Sequence, residues 1–145
     1  MTSDRTSDVQ RQLALSGAVL LLLGLLTGFY ISAAMGQRID VDVHSAVAAH
    51  LNALLGAFWI FGLGWTLPML RYGPLGQRRL ALAVVVPNYA NWLITCIKAA
   101  LRVAGVDAGL SFANNAVLAG LTIFVVLPSL AAAVAWIAGF RHRAN

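Results

Sequence analysis

Glutamate is missing from this 145-residue chain, and only 10% of its residues are charged. A soluble domain carries about 25% charged residues, so this composition does not suit water. Ten Lys and Arg against five Asp give a net charge of +5, and the cations sit almost entirely at the ends of apolar runs. No basic face or nucleic-acid motif accompanies them, so a nucleic-acid partner has no support. Charge flanking membrane helices is the plainer reading. Cysteine occurs once, at Cys96, which rules out an intrachain disulfide. No zinc-type cysteine cluster is present, and no C-x-x-C-H for covalent haem attachment. The long apolar runs contain no acid, which leaves little for ion or proton coupling in a transporter.

Apolar sequence is what the chain has in plenty, at 60% of residues. Four runs, 13–35, 46–70, 80–101 and 110–140, each reach the roughly 20 residues that a bilayer-crossing helix needs. They are near-continuous and Leu/Ala-rich, and an open sheet cannot satisfy its backbone in lipid. The expected fold is all-α: a single domain over 1–145, an integral membrane four-helix bundle. Short loops make neighbouring helices antiparallel. The second run breaks near Pro68, and the fourth is long enough to tilt or to include a turn. Pro87 and Pro128 lie inside spans, where proline is tolerated and frees backbone carbonyls. Gly24 and Gly28 form a small-xxx-small pair suited to close helix contact. Trp59, Trp65, Trp92 and Trp136 either pack or anchor at the interface. Arg5, Arg11, Arg71, Arg78, Arg79, Arg141 and Arg143 fall on one side of such a bundle. Arg38, Lys98 and Arg102 fall on the other with Asp40, Asp42 and Asp107. That asymmetry places both termini in the cytoplasm. The polar stretch 1–10 does not read as a cleaved signal, because the run after it is too long for a signal core.

Two features carry chemistry. His50 stands at the mouth of the second span, and an ionisable ring there calls for a partner. It is either a hydrogen-bonded structural residue or a metal ligand. His44 reads as loop and His142 as solvated tail. Six residues separate His44 from His50, so one helix cannot turn both rings to one face. The other ligands of a metal on His50 are missing from the chain, a gap that noncovalent haem would fill with four nitrogens and a single proximal histidine. The third span carries Asn88, Asn91, Thr95, Lys98 and Arg102 at intervals of three, four, three and four, which puts all five on one helical face. That face turns toward a cavity or a subunit contact, or bonds to neighbouring helices. Tyr89 and Trp92 flank it and either wall a flat aromatic ligand or pack. In the fourth span, Asn114 and Asn115 read as caps.

These residues resemble a known group, the small four-helix membrane isomerases that include hydroxylaminobenzene mutase and styrene oxide isomerase. The resemblance rests on Leu22-Leu23-Gly24-Leu25-Leu26-Thr27-Gly28-Phe29 in the first span and Ala49-His50-Leu51 opening the second. It rests also on Pro68, eighteen residues after His50, and on Tyr89-Ala90-Asn91-Trp92-Leu93 in the third span. It covers roughly residues 13 to 100. It implies haem b ligated by His50 and a homotrimer with haem at subunit contacts, in the bacterial inner membrane. Lys98 and Arg102 are the candidates for the haem propionates, Tyr89 and Trp92 for the ring, and Asn91 and Thr95 for catalysis. The implied reaction is an internal rearrangement of a small aromatic substrate, with ferric iron as a Lewis acid.

Two positions depart from the group. Gly56 stands where an Asn is usual, and Asn52, on a different face, is no obvious substitute. Thr95 stands where the epoxide isomerase has a Tyr, which favours the mutase side. The first reading is therefore an arylhydroxylamine-to-aminophenol mutase. The second is an aryl epoxide-to-aldehyde isomerase, and the third a non-catalytic haem-binding or structural tetraspan protein.

Overall fold

The computed structural model describes residues 2–109 and 111–141, with side chains from residue 6 onward. Helix α1 spans Thr2–Met35, α2 Val43–Thr66 and α3 Pro74–Leu101. Helices α4 (Phe112–Leu121) and α5 (Leu127–Phe140) are joined by a π turn, Thr122–Val126. Among the described residues four helices are long and apolar enough to cross a membrane, Thr6–Met35, Val43–Met69, Pro74–Leu101 and Phe112–Phe140. His142 and Arg143 lie outside the described residues, as do Leu110, the expected start of the fourth span, and the side chain of Arg5.

The expected spans are each present, with different ends. Helix α1 begins eleven residues before the apolar run, at Thr2. Its polar first turns are held by the bundle: Thr6 Oγ1 donates to Gln77 Oε1 (3.1 Å) and Gln10 Nε2 to the Gly64 carbonyl (2.9 Å). Helix α3 begins at Pro74, six residues before the expected start at residue 80. Proline suits a first helical turn, where its missing N–H has no partner to lose. Pro68 does break the second span, and a 3-10 turn, Leu67–Met69, follows α2.

Helices α1 and α2 run antiparallel with small residues between them. A Cβ on Gly24 would meet Ala53 Cβ and Leu54 Cδ2 at 3.0 Å, and one on Gly28 would come 3.9 Å from His50 Cε1. Glycine is what lets the two backbones approach here. Helix α3 lies parallel to α1, tied to it by Tyr89 Oη donating to the Ser16 carbonyl (2.8 Å) and Trp92 Nε1 to Thr27 Oγ1 (3.0 Å). The core is aliphatic: Leu13, Leu20, Ile60, Leu63, Leu67 and Val84 are fully enclosed. The fourth span packs on α3 and closes on α2 through Trp136 Nε1, which donates to Thr66 Oγ1 (3.0 Å). Only 11% of its most apolar stretch is buried, against 39% for α2. Helix α2 is thus the centre of the bundle, and the fourth span presents an apolar face to its surroundings.

At the far end, the loop after α1 meets the end of α3. The Asp42 N–H donates to the Ala99 carbonyl (3.0 Å), and Asp40 forms an ion pair with Arg102. Asn114, 1% exposed, ties down the loop before α4 by accepting from the Gly105 N–H and donating to the Asp107 carbonyl, each at 2.6 Å. Asn115 accepts from the Gly109 N–H at 2.9 Å. Neither amide is the helix cap expected: Ser111 caps α4 by accepting from the Asn114 N–H (3.2 Å), and the two amides hold the preceding loop instead.

Candidate functional site

His50 sits two turns into α2, half-buried on the seam with α1. Its helix starts at Asp42, whose carboxylate accepts from the Ser45 N–H (3.0 Å) as an N-cap. That bond, with others from the same turn, holds the Asp42 pKa below the usual carboxylate value. Nδ1 of His50 lies 2.7 Å from the Gly24 carbonyl oxygen. A carbonyl only accepts, so Nδ1 is the donor here, and Nε2 is the nitrogen left for a lone pair in the matching tautomer. A ligating histidine is oriented in this way, with one nitrogen anchored to backbone and the other presented to a metal. Among the described residues no three His, Cys, Asp or Glu side chains gather to hold a metal ion. Any metal on His50 therefore draws its remaining ligands from elsewhere. His44 is exposed in the first turn of α2, apart from His50.

The second constellation lies on the other side of α2. Asn52 Nδ2 donates to both Asn91 Oδ1 and Thr95 Oγ1, each at 3.1 Å. Thr95 Oγ1 in turn donates to the Asn91 carbonyl at 2.7 Å. Sequence reasoning set Asn52 aside as lying on a different face from position 56, yet four residues bring the two onto one face of α2, and a single cavity touches both. The structure makes it the hub linking α2 to the polar face of α3. The available signal was simple: a lone amide in an apolar span requires a polar partner, and α3 carries the amides and hydroxyl to match.

Beside this cluster a cavity of about 210 Å³ opens between α2, α3 and the π turn. Asn52, Asn88 and Asn91 supply its polar lining, with Ser129 from α5. Trp59, Pro87 and Val125 are among its apolar walls. Leu55, 66% exposed, marks its rim. The π turn belongs to this site, since Val125 lies within it. Such irregular turns recur at functional sites because they re-aim side chains.

The remaining candidates are dispersed. Tyr89 and Trp92 satisfy their polar atoms on α1, away from the Asn cluster. Trp92 also borders a separate groove of about 420 Å³ between α1 and α3, lined by Leu26, Thr27, Tyr30 and Cys96. Lys98 is half-buried in the last turn of α3, while Arg102 lies just past that helix, exposed and paired with Asp40. His50 and Asn91 are not brought together within one chain. Position 52 is turned about 200° from position 50 on a helix, so His50 faces α1 while Asn52 faces its partners on α3.

Comparison with known proteins identifies the family of the chain. Hydroxylaminobenzene mutase HabB of Ectopseudomonas oleovorans is 33% identical over 97 residues, which cover 66% of this chain and 55% of that protein. The chain thus spans about half the length of that curated relative. No solved structure matches the chain. The family model for styrene oxide isomerase matches residues 9–140, a stretch that contains His50, the Asn52–Asn91–Thr95 cluster and the π turn. The match reaches into all four spans and covers nearly the whole chain, which therefore belongs to the styrene oxide isomerase family.

Proposed function

We propose that this chain is a haem-dependent membrane isomerase of mutase type, converting an arylhydroxylamine to an aminophenol. The observation that carries the reading is the bond from His50 Nδ1 to the Gly24 carbonyl, which fixes the ring and presents Nε2. Haem b fits that donor set: it asks the protein for a single imidazole and brings the other four nitrogens itself. Bound ferric haem would supply a Lewis acid toward the substrate oxygen.

The chain's own residues bind and orient. Asn91 accepts from Asn52 through Oδ1, which leaves its Nδ2 as a donor beside the cavity. Asn52 holds that amide, and Thr95, bonded to the Asn91 backbone carbonyl, holds Asn52 in turn. Trp59, Pro87 and Val125 keep bulk water from the reacting ring. At about 210 Å³ the cavity falls below the roughly 300–1,000 Å³ of drug-sized sites, so its occupant is about one aromatic ring. In the rearrangement the N–O bond breaks, a ring C–O bond forms and a ring proton is replaced on nitrogen. No oxidant or reductant is consumed.

His50 and Asn91 face opposite sides of α2. The reading therefore puts the haem between protomers of a homotrimer, with His50 from one and the polar cavity from its neighbour. The exposed apolar face of the fourth span supports burial against lipid or another protomer. Both termini are cytoplasmic on this reading, by the excess of Arg on their side, and the membrane is the bacterial inner membrane.

Thr95, which offers no phenol, and the likeness to the mutase support the mutase over the epoxide reaction. The family match to styrene oxide isomerase supports aryl epoxide-to-aldehyde conversion as the second reading. Membranes carrying the chain, given phenylhydroxylamine and styrene oxide in parallel, separate the two. Aminophenol from the first, lost in His50→Ala, is the expected result. Conversion of the epoxide alone reverses the order, and turnover of neither leaves a non-catalytic haem-binding or structural role.

A further inference from the structure

Asn88 is 6% exposed, yet it lines the cavity beside Asn91. Its Nδ2 donates to the Val84 carbonyl at 2.7 Å, one turn back on α3. A carbonyl accepts only, so the amide's orientation is fixed and Oδ1 is the end that faces α2. There it lies over Gly56: a Cβ built on that glycine would come 2.7 Å from Oδ1. Glycine offers nothing better than a weak C–H donor. Among the described residues no N–H or O–H donates to Asn88 Oδ1. That oxygen is open to the cavity rather than sealed inside the protein, so an acceptor with no protein donor is aimed into a space sized for one ring.

We infer that Asn88 is a specificity-determining residue whose Oδ1 accepts a hydrogen bond from an N–H or O–H of the substrate, and that Gly56 makes room for it. This rests on the isomerase reading and names the ligand chemistry of the same cavity. An arylhydroxylamine carries two such donors, whereas an epoxide carries none. Asn91 Nδ2 on the same wall offers the complementary donor, so the cavity reads a group that both gives and accepts. Substituting Gly56 with alanine would displace Oδ1, since the atom that must move is the carbonyl end of a short, doubly constrained side chain.

Binding of aniline and toluene, which share a shape and differ in the N–H donor, tests this without turnover. Titration calorimetry on the full chain in nanodiscs, corrected with empty discs, gives the ratio of the two affinities. The wild-type protein is expected to favour aniline about 10- to 100-fold. Asn88→Leu and Gly56→Ala are each expected to bring that ratio close to one. If Asn88→Leu does not assemble, Gly56→Ala decides, because it keeps the amide and presses closest on its oxygen, at 2.7 Å against 3.1 Å for Asn88 Cβ and Leu20 Cδ2. A wild-type ratio of one, or a ratio undiminished in an assembled variant, overturns the inference. Aminophenol formation by wild-type membranes, assayed separately, shows whether the isomerase reading has fallen with it.

Discussion

His50 and Gly24 are joined across the α1–α2 seam by a 2.7 Å hydrogen bond from Nδ1 to the carbonyl oxygen. The bond exists because Gly24 has no side chain to hold the helices apart. Gly24→Val is expected to force contact with Ala53 and Leu54, both 3.0 Å from the first added carbon. Overpacking of this kind destabilises by about 1–3 kcal/mol and withdraws the carbonyl from His50. Gly28→Ala adds a carbon at an ordinary 3.9 Å from His50 Cε1 and is expected to be tolerated. Thermal unfolding of the two variants in detergent checks the contrast.

The Asn52 hub predicts coupling between helices. Asn52→Leu and Asn91→Leu are each expected to lower stability by about 0.6–2 kcal/mol, the range for a hydrogen bond between membrane helices. Their double variant is expected to lose less than the sum, since both remove one bond. A double-mutant cycle on unfolding free energies measures this, and strict additivity would contradict the pairing.

Asp42 predicts an acid limb in stability. Its pKa is lowered, chiefly by the bond from Ser45, so the carboxylate is favoured in the folded state. Its contribution is present above the unfolded value near 3.8 and is lost as the pH falls through the lower folded value. Asp42→Asn keeps an N-cap acceptor and is expected to flatten that limb, while Asp42→Ala is expected to cost about 1 kcal/mol at neutral pH. Unfolding measured between neutral and strongly acid pH separates the three proteins.

Asn114 predicts a local effect away from the site. Its amide closes the loop before α4 through two 2.6 Å bonds, so Asn114→Ala leaves the Gly105 N–H without its acceptor. A loss of about 1–3 kcal/mol is expected. Hydrogen exchange at Gly105 and Gly109 reports whether the loop alone has loosened.

The sequence made the spans legible because an apolar run in lipid has one way to satisfy its backbone. The break at Pro68 follows from a single residue and needed no knowledge of the packing, whereas Asn114 and Asn115 read as caps and prove to hold the loop before Ser111, the cap itself. The ends of α1 and α3 were hidden, because the polar turns there are stabilised by each other, as Thr6 and Gln77 show. The stripe on α3 was visible by spacing, but its partner Asn52 lies 39 residues before Asn91 and is found only once α2 and α3 are packed. Tyr89 and Trp92 share α3 with the stripe, yet a side chain's neighbour is set by which helix lies beside it, and here that is α1. The cavity acceptor at Asn88 depended on Gly56, where the sequence showed only a departure from the usual residue.

The absorption spectrum of the purified, assembled protein is the most direct test of the central claim, that the imidazole fixed by Gly24 holds iron in a porphyrin. The account predicts a Soret band that disappears in His50→Ala while the variant remains assembled. A wild-type protein that is colourless and free of iron, with its oligomer intact, would contradict it.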